Sequence, residues 1–214
     1  MKKLIVSLIL LLGLILPVNA ADIMPVNVEP NDIRTIGVYQ APKNITLYKE
    51  PDETSDIINS IKWTGVDIFP EAVKHSDLFM VFIPSKELGY LAVTDEIEDW
   101  VEVIYNHKTG ETGWMKKDDP YKFLTWINFY NMYGKKYGLY VLKGAPESVN
   151  SIRSATDDSS QLIAEMNMPT KIKLNVIRGN WALVSVLDLD RAPKTGYIRW
   201  RGDDGIRYLF PAIK

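Results

Sequence analysis

Carboxylates are the residues of this sequence with the most evident potential for chemistry. An acidic run, Asp-Glu-Ile-Glu-Asp, occupies residues 95–99, and Asp157 is followed directly by Asp158. A glycosidase needs two carboxylates at a set separation, one as the acid and one as the base or nucleophile. Acids in the turns of a β-rich chain more often keep its surface soluble. We therefore interpret both groups as surface acids and rank a carboxylate hydrolase, acting through Glu96 or Glu98, last among the functional hypotheses.

Histidine and cysteine usage argues against the other common catalytic and metal sites. The chain has no Cys, which excludes a Cys–His nucleophile. His75 and His107 are the only histidines, without the spacing of zinc ligands, and we expect solvated loop residues. Asp188 and Asp190 resemble a fragment of a calcium loop but lack its Gly and distal Glu, which predicts an ordinary hairpin turn. The sequence also lacks a phosphate-binding Gly loop and a nucleophile elbow. It therefore predicts no metal, no cofactor and no enzymatic activity.

The N-terminus has the features of a secretory signal peptide over residues 1–20. Lys2-Lys3 precedes an apolar run from Leu4 to Leu16, and small residues lead up to Ala20, where we expect cleavage. An uncleaved anchor is the alternative, although the apolar run is short for a membrane span. Without a Cys for lipid attachment or a second long apolar run, we expect no stable membrane insertion after cleavage. The predicted location is periplasmic, or extracellular and associated with the cell wall.

The charge balance disfavours nucleic acid as a partner. The 214-residue chain has a formal net charge of −2, and removing Lys2 and Lys3 makes it −4. This mild acidic excess comes without any cluster of Lys and Arg. Nucleic-acid-binding domains instead carry a basic patch.

An internal repeat dominates the rest of the chain. Each block combines short, alternating apolar runs with Asp- or Gly-containing turns, which predicts small, strongly bent antiparallel sheets. We expect an extended arm over 21–35, a first β unit over 36–119, a linking helix over 120–136 and a second β unit over 137–214. The five paired blocks are 36–39 with 137–140, 47–58 with 152–163, 99–103 with 180–184, 113–116 with 196–199, and 118–124 with 203–209.

The first copy carries an insertion. Ile57 matches Leu162 at an offset of 105, whereas Trp100 matches Trp181 at an offset of 81, so the first copy has 105 − 81 = 24 additional residues. We place them at about 70–95. Two apolar runs there, 79–83 and 90–94, flank a Pro- and Gly-containing loop, which predicts an added β-hairpin.

The linking helix is predicted from its end signals and its periodicity. Asp119 can cap its N-terminus with Pro120 at the first helical position, and Gly134 can end it. Phe123, Ile127 and Tyr130 share one face at helical spacing, which should pack against the two β units.

The second copy resembles the bacterial SH3 domain family. The resemblance lies in Asn150-x-Ile152-Arg153-Ser, Ser159-Ser160-x-x-Ile163, Asn180-Trp181-x-x-Val184, Gly196-Tyr197-Ile198 and Tyr208-Leu209. It is good over 137–209 and weaker over 36–124. The family's Gly-Pro after the Arg is replaced here by Ser154-Ala155-Thr156, and Tyr48-Lys49 stands where the first copy should read Asn-Val-Arg. The resemblance implies two small SH3-like β-barrels in an exported protein that binds cell-wall peptides.

The candidate ligand residues lie outside the expected cores. Loops on a rigid barrel commonly carry recognition, and exposed aromatics often dominate binding energy. Trp100, Trp114, Trp181 and Tyr197 recur at equivalent positions, and we favour core filling over a stacking platform for them. The candidates are Tyr48, Glu50, Asp52 and Trp63 in the first copy and Arg153, Asp157 and Trp200 in the second.

Two hypotheses of non-enzymatic function follow. In the first, the chain binds cell-wall (peptidoglycan) peptide through one or both barrels, with the first copy recognising the ligand and the second supporting it. In the second, it is an adaptor or inhibitor that binds an envelope protein, with the inserted hairpin adding a strand to the partner.

Overall fold

A computed structural model describes residues 35–166, 171–187 and 192–213. The predicted signal peptide, the arm up to residue 34 and the turn containing Asp188 and Asp190 lie outside these ranges. The described chain is mainly β, with two antiparallel sheets and a short helical segment between them. This confirms the expected fold class at that level. No helix within the described ranges is long and apolar enough to cross a membrane.

The first sheet has the strand order β4-β3-β2-β8-β7-β6-β1-β9, with β5 paired to β6. Its strands alternate buried and outward residues, as in β7, where Val101 and Val103 are buried and Glu102 lies between them. The strands are β1 (Gly37–Gln40), β2 (Asn44–Tyr48), β3 (Ile57–Trp63), β4 (Ile68–Phe69), β5 (Val81–Ile83), β6 (Leu88–Ile97), β7 (Trp100–Asn106), β8 (Glu111–Lys116) and β9 (Phe123–Thr125).

The second sheet has the order β12-β11-β15-β14-β13-β10-β16. A short 3-10 helix, Glu147–Asn150, precedes β11. The strands are β10 (Leu139–Val141), β11 (Ser151–Arg153), β12 (Leu162–Glu165), β13 (Lys171–Arg178), β14 (Trp181–Leu187), β15 (Lys194–Arg199) and β16 (Leu209–Pro211).

The two sheets share one topology. Removing β4 and β5 from the first leaves seven strands in the same order as the seven of the second. Even the irregularities recur, since the register shifts between Leu47 and Tyr48 in one sheet and between Ile152 and Arg153 in the other. The sequence repeat is therefore a structural repeat. Among the described strands, however, each pairing path runs from one edge to the other, so neither sheet closes into a barrel.

The insertion differs from the expected one in its bounds. The predicted hairpin exists, because Val81 pairs with Tyr90 and Ile83 with Leu88. Its second strand, β6, is nevertheless the counterpart of β13 and belongs to the repeat. The additional residues are therefore 64–87, which form β4, α1 (His75–Leu78), β5 and a 3-10 turn at Pro84–Lys86. All three β5 residues are buried, so the insertion contributes to the core.

The linking helix is shorter than predicted. Residues 123–125 form β9, which pairs with β1 instead of starting a helix. Gly37 permits this pairing, since a Cβ there would lie 2.2 Å from the Leu124 carbonyl oxygen. The helical segment begins at Trp126 with Thr125 as its N-cap, accepting from the Asn128 N–H at 3.3 Å. It comprises α2 (Trp126–Phe129), a π-helical turn (Tyr130–Gly134) and α3 (Lys135–Tyr137), and ends at Gly138, whose φ is +86°.

The two halves are joined by a common core. One hydrophobic cluster lies within the first sheet, whereas the other combines residues of both sheets with the helical segment. Tyr130 donates a hydrogen bond to the Leu209 carbonyl. Arg207, only 2% exposed, donates to Thr35 Oγ1 at 3.0 Å and lies 4.2 Å from the ring centre of Trp126. The halves are therefore packed together rather than tethered.

Candidate binding grooves

The first half carries a groove of about 420 Å³ on the outer face of its sheet, which we call groove 1. Strand β2 forms one side, because Asn44, Thr46 and Tyr48 point away from the buried Ile45 and Leu47. The end of β8 and the loop between β2 and β3 complete it. The lining residues are Pro42, Asn44, Thr46, Tyr48, Glu53, Met115, Lys116, Lys117 and Asp118.

The second half carries a groove of about 340 Å³, which we call groove 2. It lies at the end of β15, beside the loop between β11 and β12 and the turn before β16. The lining residues are Ser148, Arg153, Asp158, Arg199, Gly202, Asp203 and Tyr208.

The two grooves occupy equivalent places in the repeat. Tyr48 pairs with Trp114 of β8, and its counterpart Arg153 pairs with Tyr197 of β15. A carboxylate from the long loop meets a cation from the following strand in both halves. These ion pairs are Glu53 with Lys116 and Asp158 with Arg199. Each groove thus combines a loop acid with a strand cation.

The loop that supplies the acid has the same internal geometry in both halves. The Asp52 carboxylate accepts from the Thr54 N–H at 2.8 Å, and the Asp157 carboxylate accepts from the Ser159 N–H at 2.7 Å. These hydrogen bonds hold the pKa of each Asp below its usual value. Side-chain capping of this kind mimics a backbone turn and orders the loop. The two aspartates therefore hold the loop that presents the groove acid.

Groove 1 has an exposed ion pair. The side chains of Lys116 and Glu53 are 51% and 60% exposed. The hydrogen bond to Glu53 raises the pKa of Lys116. Next to them Tyr48 contacts Trp100 edge to face, with ring centres 5.4 Å apart. An exposed pair beside a partly buried aromatic can exchange its partners for ligand groups at little cost.

Groove 2 has a more extensive network around Arg199. Its guanidinium donates to both carboxylate oxygens of Asp158, at 2.6 to 3.2 Å, and to Asp203 at 3.0 Å. Asn180 also donates to Asp203, at 2.9 Å. The guanidinium lies 4.7 Å from the ring centre of Trp181. Hydrogen bonding to the two acids raises the pKa of Arg199 and holds the pKa of Asp203 below its usual value.

The structure separates the predicted ligand residues into three groups. Tyr48 and Arg153 line the grooves. Three others, Glu50, Asp52 and Asp157, are exposed residues of the loops that border the grooves and do not line them. The expected exposure of Trp63 and Trp200 is wrong, because they are 1% and 0% exposed.

Burial of the two tryptophans has a polar cause as well as an apolar one. The indole N–H of Trp63 donates to the Pro42 carbonyl at 2.6 Å, and that of Trp200 donates to the Gly179 carbonyl at 2.8 Å. A satisfied N–H lets a large ring enter the core without leaving an unpaired donor. Among the repeated aromatics, Trp181 is 7% exposed and fills the core, whereas Trp100, Trp114 and Tyr197 are half-buried.

Sequence reasoning selected Arg153 but missed the other charged residues that line the grooves. A signal for most of them was present in the repeat itself. Aligning 47–58 with 152–163 places Glu53 on Asp158, and aligning 113–116 with 196–199 places Lys116 on Arg199. Both copies therefore have an acidic residue at the first of these positions and a basic residue at the second. Aligning 118–124 with 203–209 likewise places Asp118 on Asp203. Lys117 has no such signal and follows from three-dimensional proximity.

The remaining chemical candidates lie outside the grooves. Glu96 pairs with Lys117 at 2.8 Å, so one member of the acidic run is engaged at the edge of groove 1. The expectation that the histidines are solvated is wrong, because both are half-buried, and the His75 ring stacks on that of Phe82 with ring centres 4.4 Å apart. In the described ranges no group of three or more His, Cys, Asp or Glu side chains could hold a metal ion.

Comparisons with known proteins give no family for this chain. No protein-family model matches it, and no curated protein matches it significantly.

Proposed function

We propose that this chain is a non-enzymatic binding protein of the cell envelope that recognises cell-wall peptide through the groove on one or both of its two SH3-like units. The observation that carries the proposal is the repeated groove, in which Glu53 with Lys116 and Asp158 with Arg199 occupy equivalent places. A peptide with charged groups and backbone amides matches this lining of ions, hydroxyls and a tyrosine.

Three further features support the proposal. The N-terminal sequence has the pattern of an export signal. The resemblance to bacterial SH3 domains implies cell-wall peptide as the ligand class. The loops that border both grooves are ordered by Asp side chains, so little conformational entropy would be lost on binding.

The decisive experiment is co-sedimentation of residues 21–214 with purified sacculi, with digested muropeptides as the competitor. We expect pelleting that free muropeptides reverse. A Tyr48→Ala variant should bind more weakly, whereas Lys173→Ala, an exposed change on β13, should bind like wild type. Absence of pelleting at physiological salt would refute the proposal.

A second candidate function, binding of an envelope protein, is favoured by the tip of the insertion. Val66, on the turn that joins β3 to β4, is 83% exposed, and Phe69, the last residue of β4, is 53% exposed. The turn is ordered, since Thr64 Oγ1 accepts from the N–H groups of Val66 and Asp67. An ordered apolar tip of this kind is typical of protein contacts.

Testing this second function requires point changes rather than deletion. Phe79 and Phe82 of the insertion contact Trp63 with ring centres 4.8 and 5.9 Å away, so deleting the segment would open the core. Val66→Ser with Phe69→Ser keeps the core intact. Loss of in-envelope cross-links in this variant, with sacculus binding retained, would support a protein partner. Unchanged cross-links would contradict it.

A further inference from the structure

The cations at equivalent positions of the two grooves differ in chemistry. The strand residue is Lys116 in groove 1 and Arg199 in groove 2. A lysine ammonium is a mobile point charge, whereas an arginine guanidinium engages carboxylates through several fixed hydrogen bonds. The surrounding contacts amplify this difference.

The charged side chains of groove 2 pair with one another. The Arg199 side chain is 19% exposed and joins two exposed acids from separate segments, Asp158 of the long loop and Asp203 of the turn before β16. Arg153 donates from its Nη1 to the Ser160 carbonyl at 2.8 Å, which fastens the same loop again. A ligand charge entering here would have to replace several charge-assisted hydrogen bonds at once.

In the described ranges, groove 1 has no counterpart of the ion pair between Arg199 and Asp203. Asp118, which the repeat aligns with Asp203, has its backbone bound to Tyr39, as its N–H donates to the tyrosine oxygen at 2.7 Å. Within the described chain its carboxylate forms no ion pair, and the exposed residue lines groove 1. In the same ranges Lys116 pairs with Glu53 alone, and the second groove cation, Lys117, pairs with Glu96 at the edge of the groove. One exposed pair and one open carboxylate are therefore available to a ligand.

We infer that the two copies of the groove have diverged. Groove 1 binds a dipolar ligand, whereas the ion pairs of groove 2 stabilise the fold of the second half. The ligand is a peptide carrying both an ammonium and a carboxylate group. This inference rests on the proposed function and names the ligand class of the same site. The ligand ammonium takes Glu53 and Asp118, and the ligand carboxylate takes Lys116.

Charge matching explains why a dipolar ligand suits groove 1. When the Glu53–Lys116 pair opens, a ligand with both charges supplies a new partner to each side chain. A ligand with only one charge leaves either Glu53 or Lys116 unmatched. An exposed ion pair contributes about 0.2–1 kcal/mol, so a ligand that supplies both new partners replaces one such pair by two, and each added pair strengthens binding by up to about fivefold.

The test uses three small probes and amide chemical-shift mapping of residues 21–214. Glycylglycine carries both charges, acetyl-glycylglycine only the carboxylate, and glycylglycinamide only the ammonium. We expect glycylglycine to shift amides around Tyr48, Glu53 and Lys116, with each singly charged probe binding about two- to fivefold more weakly. Shifts centred on Arg199, equal binding of a singly charged probe, or no shift with glycylglycine would overturn the inference.

Matched variants separate binding from folding. Glu53→Gln and Lys116→Met should each weaken the binding of glycylglycine about two- to fivefold and leave hydrogen exchange of the fold unchanged. The equivalent changes Asp158→Asn and Arg199→Met should leave the affinity unchanged and accelerate amide exchange in residues 154–161. The reverse pattern would assign the ligand to groove 2 and overturn the inference.

Sacculus binding distinguishes this inference from the proposed function. Co-sedimentation without any response to glycylglycine would overturn the dipolar ligand and keep the cell-wall function. A mapped glycylglycine site without co-sedimentation would keep the dipolar site and refute the cell-wall function.

Discussion

Replacing Phe129 by Ala tests whether the two halves fold as one unit. Phe129 is fully buried in the common core, at the end of α2. Its ring centre lies 5.5 Å from that of Tyr90 in the first sheet and 5.7 Å from that of Phe210 in the second. Tyr133 lies closer still, at 4.9 Å. Truncation would therefore remove contacts to both sheets at once.

The expected cost is large relative to the stability of a protein of this size. A Phe→Ala change in a packed core typically costs about 3–5 kcal/mol, against a total free energy of unfolding of about 5–15 kcal/mol. At roughly 2–4 °C per kcal/mol for this chain length, Tm should fall by about 6–20 °C. The matched control is Ile127→Ala in the same helix, where the side chain is 46% exposed. That control should change the free energy of unfolding by no more than about 0.5 kcal/mol.

The assay monitors urea unfolding by hydrogen exchange with mass spectrometry, which reports on each half separately. Because Phe129 serves both sheets, peptides from β6 and from β14 should lose protection at the same urea concentration, and Phe129→Ala should shift both midpoints equally. Separate midpoints for the two halves, or a shift confined to one of them, would refute the common core. A Phe129→Ala cost as small as that of Ile127→Ala would do the same.

Three further predictions concern pH, the groove loop and strand β9. Burial raises the pKa of Tyr140 to about 12. Because the folded state then holds the phenol proton more tightly than the unfolded state, the free energy of unfolding should be constant below pH 10 and fall towards pH 12. Tyr140→Phe should reduce that fall, as measured by urea midpoints at each pH. Asp157→Ala removes the acceptor of the Ser159 N–H and should accelerate amide exchange in residues 154–161, whereas Asp157→Asn, which keeps an acceptor, should not. Gly37→Ala places a Cβ 2.2 Å from the Leu124 carbonyl oxygen, so protection of β9 amides should be lost. Retained protection would show that the paired strands accommodate a Cβ at position 37 and would contradict the role assigned to Gly37.

Much of the architecture could be predicted from the repeat. Period-two alternation marks a strand whatever its partners, and the same blocks in the same order produced sheets with the same strand order. Boundaries were less predictable, because they depend on neighbours distant in sequence. Asp119 and Pro120 have the types that start a helix, yet residues 123–125 pair with β1 because Gly37 leaves room for their backbone.

The candidate site was predicted only in part, and burial explains the failures. A tryptophan beside polar residues suggests exposure, but the Pro42 and Gly179 carbonyls that accept from Trp63 and Trp200 lie 21 residues away in each case. The groove ion pair Glu53–Lys116 joins residues 63 apart. Single-sequence patterns do not report such distant pairings, although the internal repeat retained the sign of both charges.

The common core also sets the timing of folding during synthesis. The Tyr130 hydroxyl donates to the Leu209 carbonyl, which is synthesised 79 residues later in the chain. The hydrogen bond from Arg207 to Thr35 likewise requires a residue that is synthesised 172 residues later. At roughly 5–20 residues per second, the ribosome supplies the second partner of Tyr130 only after about 4–16 s. During that interval the apolar face around Trp126 and Phe129 has no cover from β16, so a nascent chain is open to chaperone capture until its last strand emerges.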